Sequence, residues 1–401
     1  MLDYYQALNS LLYALPQPKV IQDYPLLEAV GLTLAEDVIV RLNVPQFDNS
    51  AMDGFALGGD LSGVQSWKIV NRISAGETIP RTKLKTGEAV RIFTGAPAPD
   101  GTSAIIPQEE TKVEGDILYL LQSAEPGQNI RKQGEEFIRG EVLCNAHQML
   151  TPAVIALLAS QGYCSVRAFS PLRITVFSTG NELSDPDHSR NDGQIYDANR
   201  FLLLSWLKGT PFKIRDGGIL PDNIDKIRER LSKAHTETDI IVTSGGVSVG
   251  EKDYLKQVIE QLGKLHFWKL AIKPGKPFAW GSIKHCTVFM LPGNPVSSLV
   301  TFQQLVIPAL HVMMGQKAEN CSVKPFYAKA GFYWQKKQER REFIRVTLEN
   351  RNETLWAVPL PQQGSAMLSS CTGAHALAEI PPETTINKDD FVQIYPLNYR
   401  V

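Results

Sequence analysis

The sequence of 401 residues lacks three features that would each indicate a class of protein. It carries almost no net charge, -1 from 41 basic and 42 acidic residues, so no broad positive field would draw it to nucleic acid. It has no run of about 18 consecutive apolar residues, the length of a membrane-spanning helix. Its cysteines lack the paired spacing of a structural zinc site: Cys144, Cys164, Cys286, Cys321 and Cys371. We therefore expect a cytoplasmic protein with reduced thiols that binds neither nucleic acid nor a membrane.

The first residues, MLDYYQALNSLLYAL, lack the basic leader and the small-residue cleavage site of a signal peptide. Their polar residues also interrupt the apolar run, so we interpret the segment as an amphipathic helix. The length of the chain favours several domains over a single hydrophobic core.

Hydrophobic periodicity divides the chain into segments of different character. Residues 1–43 and 141–171 combine helix and strand signals, with a short helix running into a strand at 25–40 and a capped helix at 151–162. Residues 44–140 contain short apolar runs broken by Gly, Pro and Asp, which predicts a β-rich domain. Residues 322–401 return to this pattern, which predicts a small C-terminal β domain.

The segment 172–321 alternates between strand and helix signals. We expect strands at LRITVFS, FKIRDGGIL, DIIVTS and TVFMLPG, with helices between and after them. Such alternation predicts a parallel sheet covered by helices on both faces. Ligands of such sheets bind at the carboxyl ends of the strands, so the residues that follow the strands are the candidates for a site.

One of these strand ends, DIIVT, runs into Ser244, Gly245 and Gly246 before a helix expected to begin near Glu251. Glycines let backbone amides approach a phosphate, and a helix N-terminus adds partial positive charge. The loop is therefore a candidate anion site. The alternative is an ordinary strand-to-helix turn, which a pair of glycines alone does not exclude.

Three carboxylates follow three different strand ends: Glu182 in FSTGNEL, Asp222 after GGILP and Asp253 beyond the SGG loop. Because the strand ends of a doubly wound sheet face one crevice, these side chains are predicted to converge. Carboxylate oxygens and water are suitable ligands for Mg²⁺. The simpler alternative for Asp253 is that it only complements the dipole of the following helix.

The run WKLAIKPGKPFAWG places Lys269, Lys273 and Lys276 beside two prolines. Pro274 and Pro277 limit the freedom of the loop, which lowers the entropic cost of holding cations against an oxyanion such as molybdate or phosphate. Surface lysines are more often only solvated, which is the alternative for each of them. LPGNP is a second proline-rich turn at a strand end, of a kind that often builds pockets.

Three short polar stretches lie in the β-rich segment. FDNSAMDGFA contains Asp53, RIFTGAP contains Thr94, and NIRKQGEEF contains Arg131 and Glu136. Turn formation alone would explain each stretch, because Asp, Asn and Gly are the residues that turns favour. Taken singly, none of the three indicates a function.

Eight motifs in one order closely resemble the molybdopterin molybdenumtransferases, the MoeA family that includes the gephyrin E domain. The motifs are FDNSAMDGFA, RIFTGAP, NIRKQGEEF, FSTGNEL, GQIYDANR, TSGGVSVGEKDY, KLAIKPGKPFAWG and LPGNPVSS. The resemblance implies a multidomain α/β plus β fold with four domains: 1–43 with 141–171, 44–140, 172–321 and 322–401. The third would be a doubly wound parallel sheet of the MoaB/MogA type that binds molybdopterin, between β-rich N-terminal and C-terminal domains.

The resemblance also implies an activity and partners. The chain would be a transferase of molybdenum cofactor biosynthesis that inserts molybdate into adenylated molybdopterin and releases AMP, assisted by Mg²⁺. It would form an elongated homodimer, and contact with molybdopterin adenylyltransferase or other cofactor biosynthesis proteins is left open. Because the dithiolene sulfurs belong to the substrate, the enzyme needs to supply only positioning, charge stabilisation and control of water.

Carried over motif by motif, the resemblance assigns roles to individual residues. Those expected to act in the reaction are Asp53, Thr94, Glu182, Asp222, Asp253, Lys269 and Lys273. Those expected to bind the pterin nucleotide are Arg131, Glu136, Ser244, Gly245, Gly246, Pro292, Pro295, Arg345 and Ser365. The three strand-end carboxylates would hold Mg²⁺ on the pyrophosphate, and Lys269 and Lys273 would stabilise molybdate. The residues from the β-rich domain would face the cleft of the partner subunit.

Two positions depart from the family pattern. Glu136 stands where family members commonly have the aspartate of GED, and Asn181 where they often have that of STGDEL. Since Asn181 can still donate and accept hydrogen bonds, we expect activity to survive, while the effect on metal affinity is open.

Two other functions agree with part of the sequence. A molybdopterin adenylyltransferase would share the α/β domain and its SGG loop, but it would have no use for FDNSAMDGFA and NIRKQGEEF. A noncatalytic scaffold of the gephyrin type would use the same fold to bind peptides, and the presence of Asp53, Asp222 and Asp253 weighs against it.

Overall fold

The computed structural model describes residues 1–18, 20–77, 83–247, 254–336 and 339–397. The chain divides into two compact units. The first comprises Met1–Ala35, His147–Ile155 and Ser165–Val401, and the second comprises Glu36–Ala146 and Ala156–Cys164. The division into four domains at the expected bounds stays a prediction.

A six-stranded sheet forms the centre of the α/β region in the first unit. Its strands lie in the order Lys213–Leu220, Arg173–Thr179, Ile240–Ser244, Cys286–Leu291, Pro277–Ile283 and Lys264–Lys269. The first four strands are parallel, which confirms the prediction from the alternation of strand and helix signals. The last two are antiparallel and were not among the expected strands. They form a hairpin, and the segment between them carries Lys273 and Lys276.

Two pairs of helices pack with this sheet. Asn199–Leu207 contacts Pro295–Thr301, and Ile224–Glu237 contacts Tyr254–Leu262. Ile224–Glu237 begins at Asn223, whose side-chain oxygen accepts the N–H groups of the next turn and so stabilises the helix start. Apolar side chains of the second pair pack on the sheet in one buried core: Leu231, Val258 and Ile259 with Phe177, Ile241 and Val288.

The helical run Pro295–Met313 is a long apolar element of the first unit. It consists of Pro295–Thr301, a wider π-helical turn at Phe302–Val306, and Ile307–Met313. The run is 19 residues long with a mean hydropathy of 1.4, which is long and apolar enough to cross a membrane, but 89% of it is buried inside the molecule. It therefore has the surroundings of a core helix.

The remaining elements of the first unit confirm most of the expectations for its two ends. The N-terminal helix spans Tyr4–Ala14, and Asp3 accepts hydrogen bonds from its first N–H groups. The expected short helix at 25–40 is wrong: residues 26–31 form turns that end at Gly31, whose φ of 81° is left-handed. The helix Pro152–Ser160, whose residues up to Ile155 belong to this unit, confirms the helix expected at 151–162. The additional short elements are Ile21–Pro25 paired with Ser165–Phe169 and Leu183–Ser184 paired with Ile195–Tyr196.

The C-terminal region of the first unit is a second six-stranded sheet. Its strand order is Ile272–Lys273, Arg341–Arg351, Thr354–Pro359, Phe326–Ala330, Phe391–Pro396 and Ala376–Ile380, and Trp334–Gln335 pairs separately with Thr385–Ile386. The short helix Ser369–Thr372 follows the loop after the strand Thr354–Pro359. This confirms the predicted C-terminal β region.

The second unit is built on a third six-stranded sheet. Its order is Thr102–Pro107, Gly54–Gly58, Glu88–Ile92, Trp67–Ile73, Ile117–Leu120 and Thr111–Glu114, with two short pairs beside it, Asn49–Ser50 with Ile130–Arg131 and Val38–Ile39 with Val142–Cys144. Phe55 and Leu57 belong to one buried core, and Ala56 between them belongs to another. The sheet is thus buried on both faces, and the prediction of a β-rich segment is confirmed.

Candidate functional site

A cavity of about 660 Å³ lies at the carboxyl ends of the parallel strands of the first unit. Parallel α/β sheets bind ligands at this position, and the volume is that of a small-molecule site. The cavity is lined by residues from FSTGNEL, GQIYDANR, the SGG loop and LPGNP. Six of the residues expected from the sequence lie in its wall: Glu182, Ser244, Gly245, Gly246, Pro292 and Pro295.

Asn199 joins two walls of this cavity. Its Nδ2 donates hydrogen bonds to Oγ of Ser244 at 2.8 Å and to the carbonyl oxygen of Gly293 at 2.7 Å. As the first residue of the helix Asn199–Leu207, it is held in place by the backbone of that helix. Asn199 lies in the motif GQIYDANR but was not among the predicted site residues. The signal that would have revealed it is an amide side chain where the motif enters a helix.

The SGG loop has a backbone that only glycine adopts readily. Gly245 and Gly246 have φ values of 90° and 67°, and a Cβ on Gly245 would lie 2.9 Å from the carbonyl oxygen of Thr179. The N–H of Gly245 donates to the carbonyl oxygen of Leu291 at 2.9 Å, so this amide is not free to bind a phosphate. The N–H of Gly246 makes no backbone hydrogen bond to a described residue.

Glu182 and Asp222 follow neighbouring strands of the sheet. The carboxylate of Glu182 folds back over Gly180, where a Cβ would lie 2.3 Å from Oε2. Asn181 and Asp222 form a reciprocal pair: Asn181 N–H donates to Oδ2 of Asp222 at 3.2 Å, and Asp222 N–H donates to Oδ1 of Asn181 at 3.0 Å. An amide at position 181 therefore links the two strand ends without placing a second negative charge beside Asp222.

The donor chemistry of these two carboxylates fits Mg²⁺. Magnesium commonly takes one or two protein carboxylates and completes its shell with water and substrate phosphates. In the part of the chain that the structure describes, no group of three or more His, Cys, Asp or Glu side chains forms a metal site. Asp253, the third predicted ligand, lies outside the described residues.

A buried ionic network lies directly behind the cavity wall. Arg200 is only 2% exposed, and its guanidinium contacts Asp197 at 2.8 Å as well as Asp185 and Asp216. Oγ of Ser178 donates to Asp197 at 2.9 Å. Burial opposes the charge of Arg200, but hydrogen bonds to Asp197 and Asp216 outweigh it and raise the pKa of Arg200. The network connects the helix that carries Asn199 to the strands beneath the cavity.

Ser365 lies beside the LPGNP turn. Nδ2 of Asn294 donates to Oγ of Ser365 at 3.2 Å, and the N–H of Val296 donates to the carbonyl oxygen of Ser365 at 3.0 Å. The next residue, Ala366, lines the cavity. The C-terminal region thus contributes to this site in the same unit.

Arg345 is fully buried and does not line the cavity. Its guanidinium donates to Oγ of Ser370 at 3.0 Å and to the carbonyl oxygens of Gln362 and Gly364 at 2.9 and 3.2 Å. Burial lowers the pKa of Arg345. The structure places Arg345 as the support of the loop that presents Ser365.

The predicted lysines lie outside the cavity wall, although Pro277 from the same segment is part of it. Lys269 ends the strand Lys264–Lys269 and is exposed. Lys273 lies in the short strand Ile272–Lys273, and its Nζ is 2.8 Å from Oε1 of Glu342. Since the Lys273 side chain is still 45% exposed, its ammonium group can be reached by a ligand.

Glu342 is shared between two lysines. Besides Lys273, it contacts Nζ of Lys336 at 3.1 Å, and both of these side chains are buried. Burial alone would raise the pKa of Glu342, but the hydrogen bond from Lys273 and the charge of Lys336 outweigh this and lower it. Burial lowers the pKa of Lys336. Ionised Glu342 therefore stabilises the C-terminal sheet.

We expect Glu342→Gln to lower the free energy of unfolding at neutral pH by about 1–3 kcal/mol, because it leaves buried charge without its partner. Since the folded-state pKa of Glu342 is below its ordinary value of 4.5, its contribution is complete above that pH and is lost as the pH falls further. Urea unfolding of both proteins at several pH values would show a difference in the free energy of unfolding that becomes smaller in acid. A difference in the free energy of unfolding that does not depend on pH would contradict the stabilising role of ionised Glu342.

The three polar stretches of the second unit come together. The N–H and the hydroxyl of Thr94 both donate to Oδ1 of Asp53 at 2.7 Å. These two hydrogen bonds lower the pKa of Asp53, and the bond from the N–H has the larger effect. Ser50 N–H donates to the carbonyl oxygen of Ala96 at 3.0 Å. The strand Asn49–Ser50 pairs with Ile130–Arg131.

Arg131 and Glu136 are exposed on the second unit. Close to Arg131, Nζ of Lys132 forms an ion pair with Asp48 at 2.7 Å, which ties NIRKQGEEF to FDNSAMDGFA. The second unit thus presents Asp53, Thr94, Arg131 and Glu136 from stretches that contact one another, while the predicted strand-end residues gather in the first unit.

Three regions of the chain match described families. The MoeA N-terminal region (domain I and II) matches residues 2–162, a probable molybdopterin binding domain matches residues 175–312, and the MoeA C-terminal region (domain IV) matches residues 327–397. The lining of the cavity comes almost entirely from the second of these regions.

The chain is also similar to individual proteins, to two of those named below over nearly its full length. It is 38% identical over 405 residues to the molybdopterin molybdenumtransferase of Haemophilus influenzae, covering 100% of this chain and 99% of that protein. It is 36% identical to molybdopterin molybdenumtransferase 2 of Mycobacterium tuberculosis, covering 73% of this chain and 75% of that protein. The crystal structure of the molybdopterin biosynthesis MoeA protein from Pyrococcus horikoshii OT3 superposes with a TM-score of 0.81 at 29% identity, covering 99% and 100% of the two chains.

Proposed function

Because this chain belongs to the molybdopterin molybdenumtransferase (MoeA) family, we propose that it inserts molybdate into adenylated molybdopterin and releases AMP. The observation that supports this most directly is the cavity at the strand ends, where four family motifs and Ser365 meet. A lone adenylyltransferase domain would not require the N-terminal and C-terminal regions that also match this family.

The pterin nucleotide would occupy this cavity. Ile195 and Tyr196 are exposed apolar side chains in its wall, so they can cover a flat ring. The N–H of Gly246, which makes no backbone hydrogen bond to a described residue, and the hydroxyl of Ser244 belong to residues of the cavity wall, where a phosphate can accept hydrogen bonds. The positions of these groups are fixed by Asn199 and by the turn at Gly293.

Glu182 and Asp222, together with Asp253, would hold Mg²⁺. When bound, the ion neutralises negative charge on the pyrophosphate of the substrate. Lys273, and Lys269 beside it, would act on the molybdate oxyanion as charge-assisted donors. The chain itself thus contributes positioning and charge, while the substrate supplies the sulfur ligands of molybdenum.

A reconstituted reaction tests the proposal. Purified protein with adenylated molybdopterin, Mg²⁺ and molybdate should release AMP, measured by chromatography, and should require both ions. The double variant Glu182→Gln/Asp222→Asn should lose the response to added Mg²⁺ while keeping its fold, since both side chains are exposed. Consumption of ATP with release of pyrophosphate would instead support a molybdopterin adenylyltransferase. If neither AMP release nor ATP consumption occurs, a noncatalytic scaffold is the supported function.

Lys273→Ala is expected to lower molybdate-dependent turnover about ten- to hundredfold, the effect of losing one charge-assisted contact. The fold should survive because Glu342 keeps Lys336 as its partner. Lys276→Ala, an exposed lysine on the same segment, is the matched control and should retain turnover. If Lys273→Ala weakens the affinity for adenylated molybdopterin and leaves the molybdate dependence unchanged, Lys273 belongs to the nucleotide site.

We also propose a homodimer in which Asp53, Thr94, Arg131 and Glu136 of one subunit act on the cleft of the other. Coexpressed Asp53→Ala and Asn199→Ala chains would then form mixed dimers with one intact site, and about a quarter of wild-type activity should return. Asp53→Ala alone should be inactive, and Asn199→Ala alone should keep about a hundredth of the wild-type activity. Activity of the mixture equal to the average of the two variants, or a fully active monomer by light scattering, would contradict this arrangement.

Cytoplasmic location is a further proposal. Cys144, Cys164, Cys286 and Cys321 are reduced thiols, three of them buried, which suits a reducing compartment. Cell fractionation followed by immunodetection tests it, and pull-down with molybdopterin adenylyltransferase tests whether that enzyme delivers the substrate by direct contact.

A further inference from the structure

A second cavity, of about 720 Å³, lies at the opposite end of the α/β sheet. Its wall includes residues that immediately precede parallel strands: Leu172 before Arg173–Thr179 and Asp239 before Ile240–Ser244. The strand-end cavity is built from residues that follow the same strands. A five-residue strand spans about 16 Å, so the two cavities are separated by the length of the sheet.

One wall of this second cavity is a face of the antiparallel hairpin. Lys264 pairs with Ser282, and His266 pairs with Trp280. Because residues two apart on a strand lie on the same face, these four residues share one face. His266 stacks on Trp280 with ring centroids 4.7 Å apart and an interplanar angle of 23°. Since His266 is exposed, a flat ligand can reach its ring from the cavity.

The charges around this cavity favour an anion. Lys264 and Lys284 both line it and are exposed. Asp239 is the single carboxylate among its described lining residues, and it is already engaged by Arg173, whose Nη2 and Nε donate to it at 2.8 and 3.1 Å. No carboxylate of the described wall is therefore left to compensate the two ammonium groups.

The wall also contains a buried ring and an apolar floor. Trp280 is only 9% exposed, and its indole supports the ring of His266 from behind. Pro16, Pro18, Leu172 and Met313 form the apolar part of the lining. The volume and this combination of an apolar floor with a few polar groups are typical of a small-molecule site.

We propose that this cavity binds a small anion built on a flat ring, with the ring against His266 and the anionic group between Lys264 and Lys284. The apolar floor takes the ring out of water, and the two lysines select for negative charge. This site is independent of the proposed molybdate chemistry, because it shares no lining residue with the strand-end cavity.

The test uses anilinonaphthalene sulfonate, a flat-ring anion whose fluorescence reports binding, with calorimetry for the number of molecules bound. We expect one molecule per chain, and the uncharged parent amine should bind at least about tenfold more weakly. The double variant Lys264→Gln/Lys284→Gln should weaken binding of the sulfonate about tenfold or more, and His266→Ala about threefold to tenfold. The matched control is Lys226→Gln/Lys233→Gln, two exposed lysines on the helix Ile224–Glu237, which should bind as the wild type does.

Asn199→Ala keeps this test separate from the proposed function. It alters the strand-end cavity, so a probe in the second cavity should bind this variant with unchanged affinity. The proposal is overturned if Lys264→Gln/Lys284→Gln binds the sulfonate as tightly as the wild type, or if Asn199→Ala abolishes binding. The exposed positions of both lysines mean that their replacement does not endanger the fold.

Discussion

Replacing Arg200 by methionine is expected to lower the free energy of unfolding by about 3–5 kcal/mol. Methionine fills a similar volume but leaves Asp197, Asp185 and Asp216 without their shared cation. The Asp197 side chain is only 1% exposed, so water cannot take over the role of the guanidinium. Urea unfolding followed by far-UV circular dichroism measures the loss.

The matched control is Arg215→Met, since Arg215 forms an ion pair with Glu237 at the surface, where both side chains are about half exposed. Exposed pairs contribute about 1 kcal/mol or less, so this variant should unfold close to wild type. Adding Asp197→Asn to Arg200→Met should restore part of the stability, because it removes the most deeply buried uncompensated charge. A loss at Arg200 no larger than that at Arg215 would show that the network is not a stabilising element.

Asn199→Ala is expected to lower kcat/KM for molybdate insertion about a hundredfold, the size of effect that follows a misplacement of about 1 Å in a site. The variant removes the two hydrogen bonds that join Ser244 to the carbonyl of Gly293. The SGG loop and the LPGNP turn then lose the side chain that links them by hydrogen bonds. Since both walls depend on this amide, the affinity for the pterin nucleotide should also fall.

Ser205→Ala is the control for Asn199→Ala, because Ser205 is an exposed residue of the same helix. It should retain wild-type kinetics. The unfolding free energy of both variants needs to be measured in parallel, so that a loss of activity is not confused with a loss of fold. A folded Asn199→Ala enzyme with kcat/KM within a factor of about two of wild type would show that the reaction does not require the hydrogen bonds of Asn199.

The sequence predicted the parallel part of the α/β sheet because its signals are local. The runs LRITVFS and DIIVTS are continuous and apolar, as strands buried on both faces must be, and Ile174, Val176 and Ile241 are fully buried. The strand-end rule then predicted where six site residues would meet. The helix expected within 25–40 was wrong because the apolar spacing of this segment also fits a helix. In the structure Leu32 and Leu34 are instead buried on an extended chain that follows Gly31.

Other features depend on partners that are distant in the sequence. The ionic network requires Arg200 to meet Asp185 and Asp216 from separate segments, and no periodicity indicates a buried charge. Lys273 was interpreted as a cation in a rigid loop, but the fold places it in a strand beside Glu342. The hairpin was hidden because Pro274 and Gly275 in its connecting segment, and Pro277 at the start of its second strand, carry the signal of a loop.

The most direct test of the central claim is a crystal structure of the protein with adenylated molybdopterin. The account predicts electron density in the strand-end cavity, with a phosphate oxygen within hydrogen-bonding distance of Gly246 N–H and a ring against Ile195 and Tyr196. It also predicts that Asn199 keeps its contacts to Ser244 and Gly293. Nucleotide bound at another place, with the strand-end cavity empty, would contradict the account.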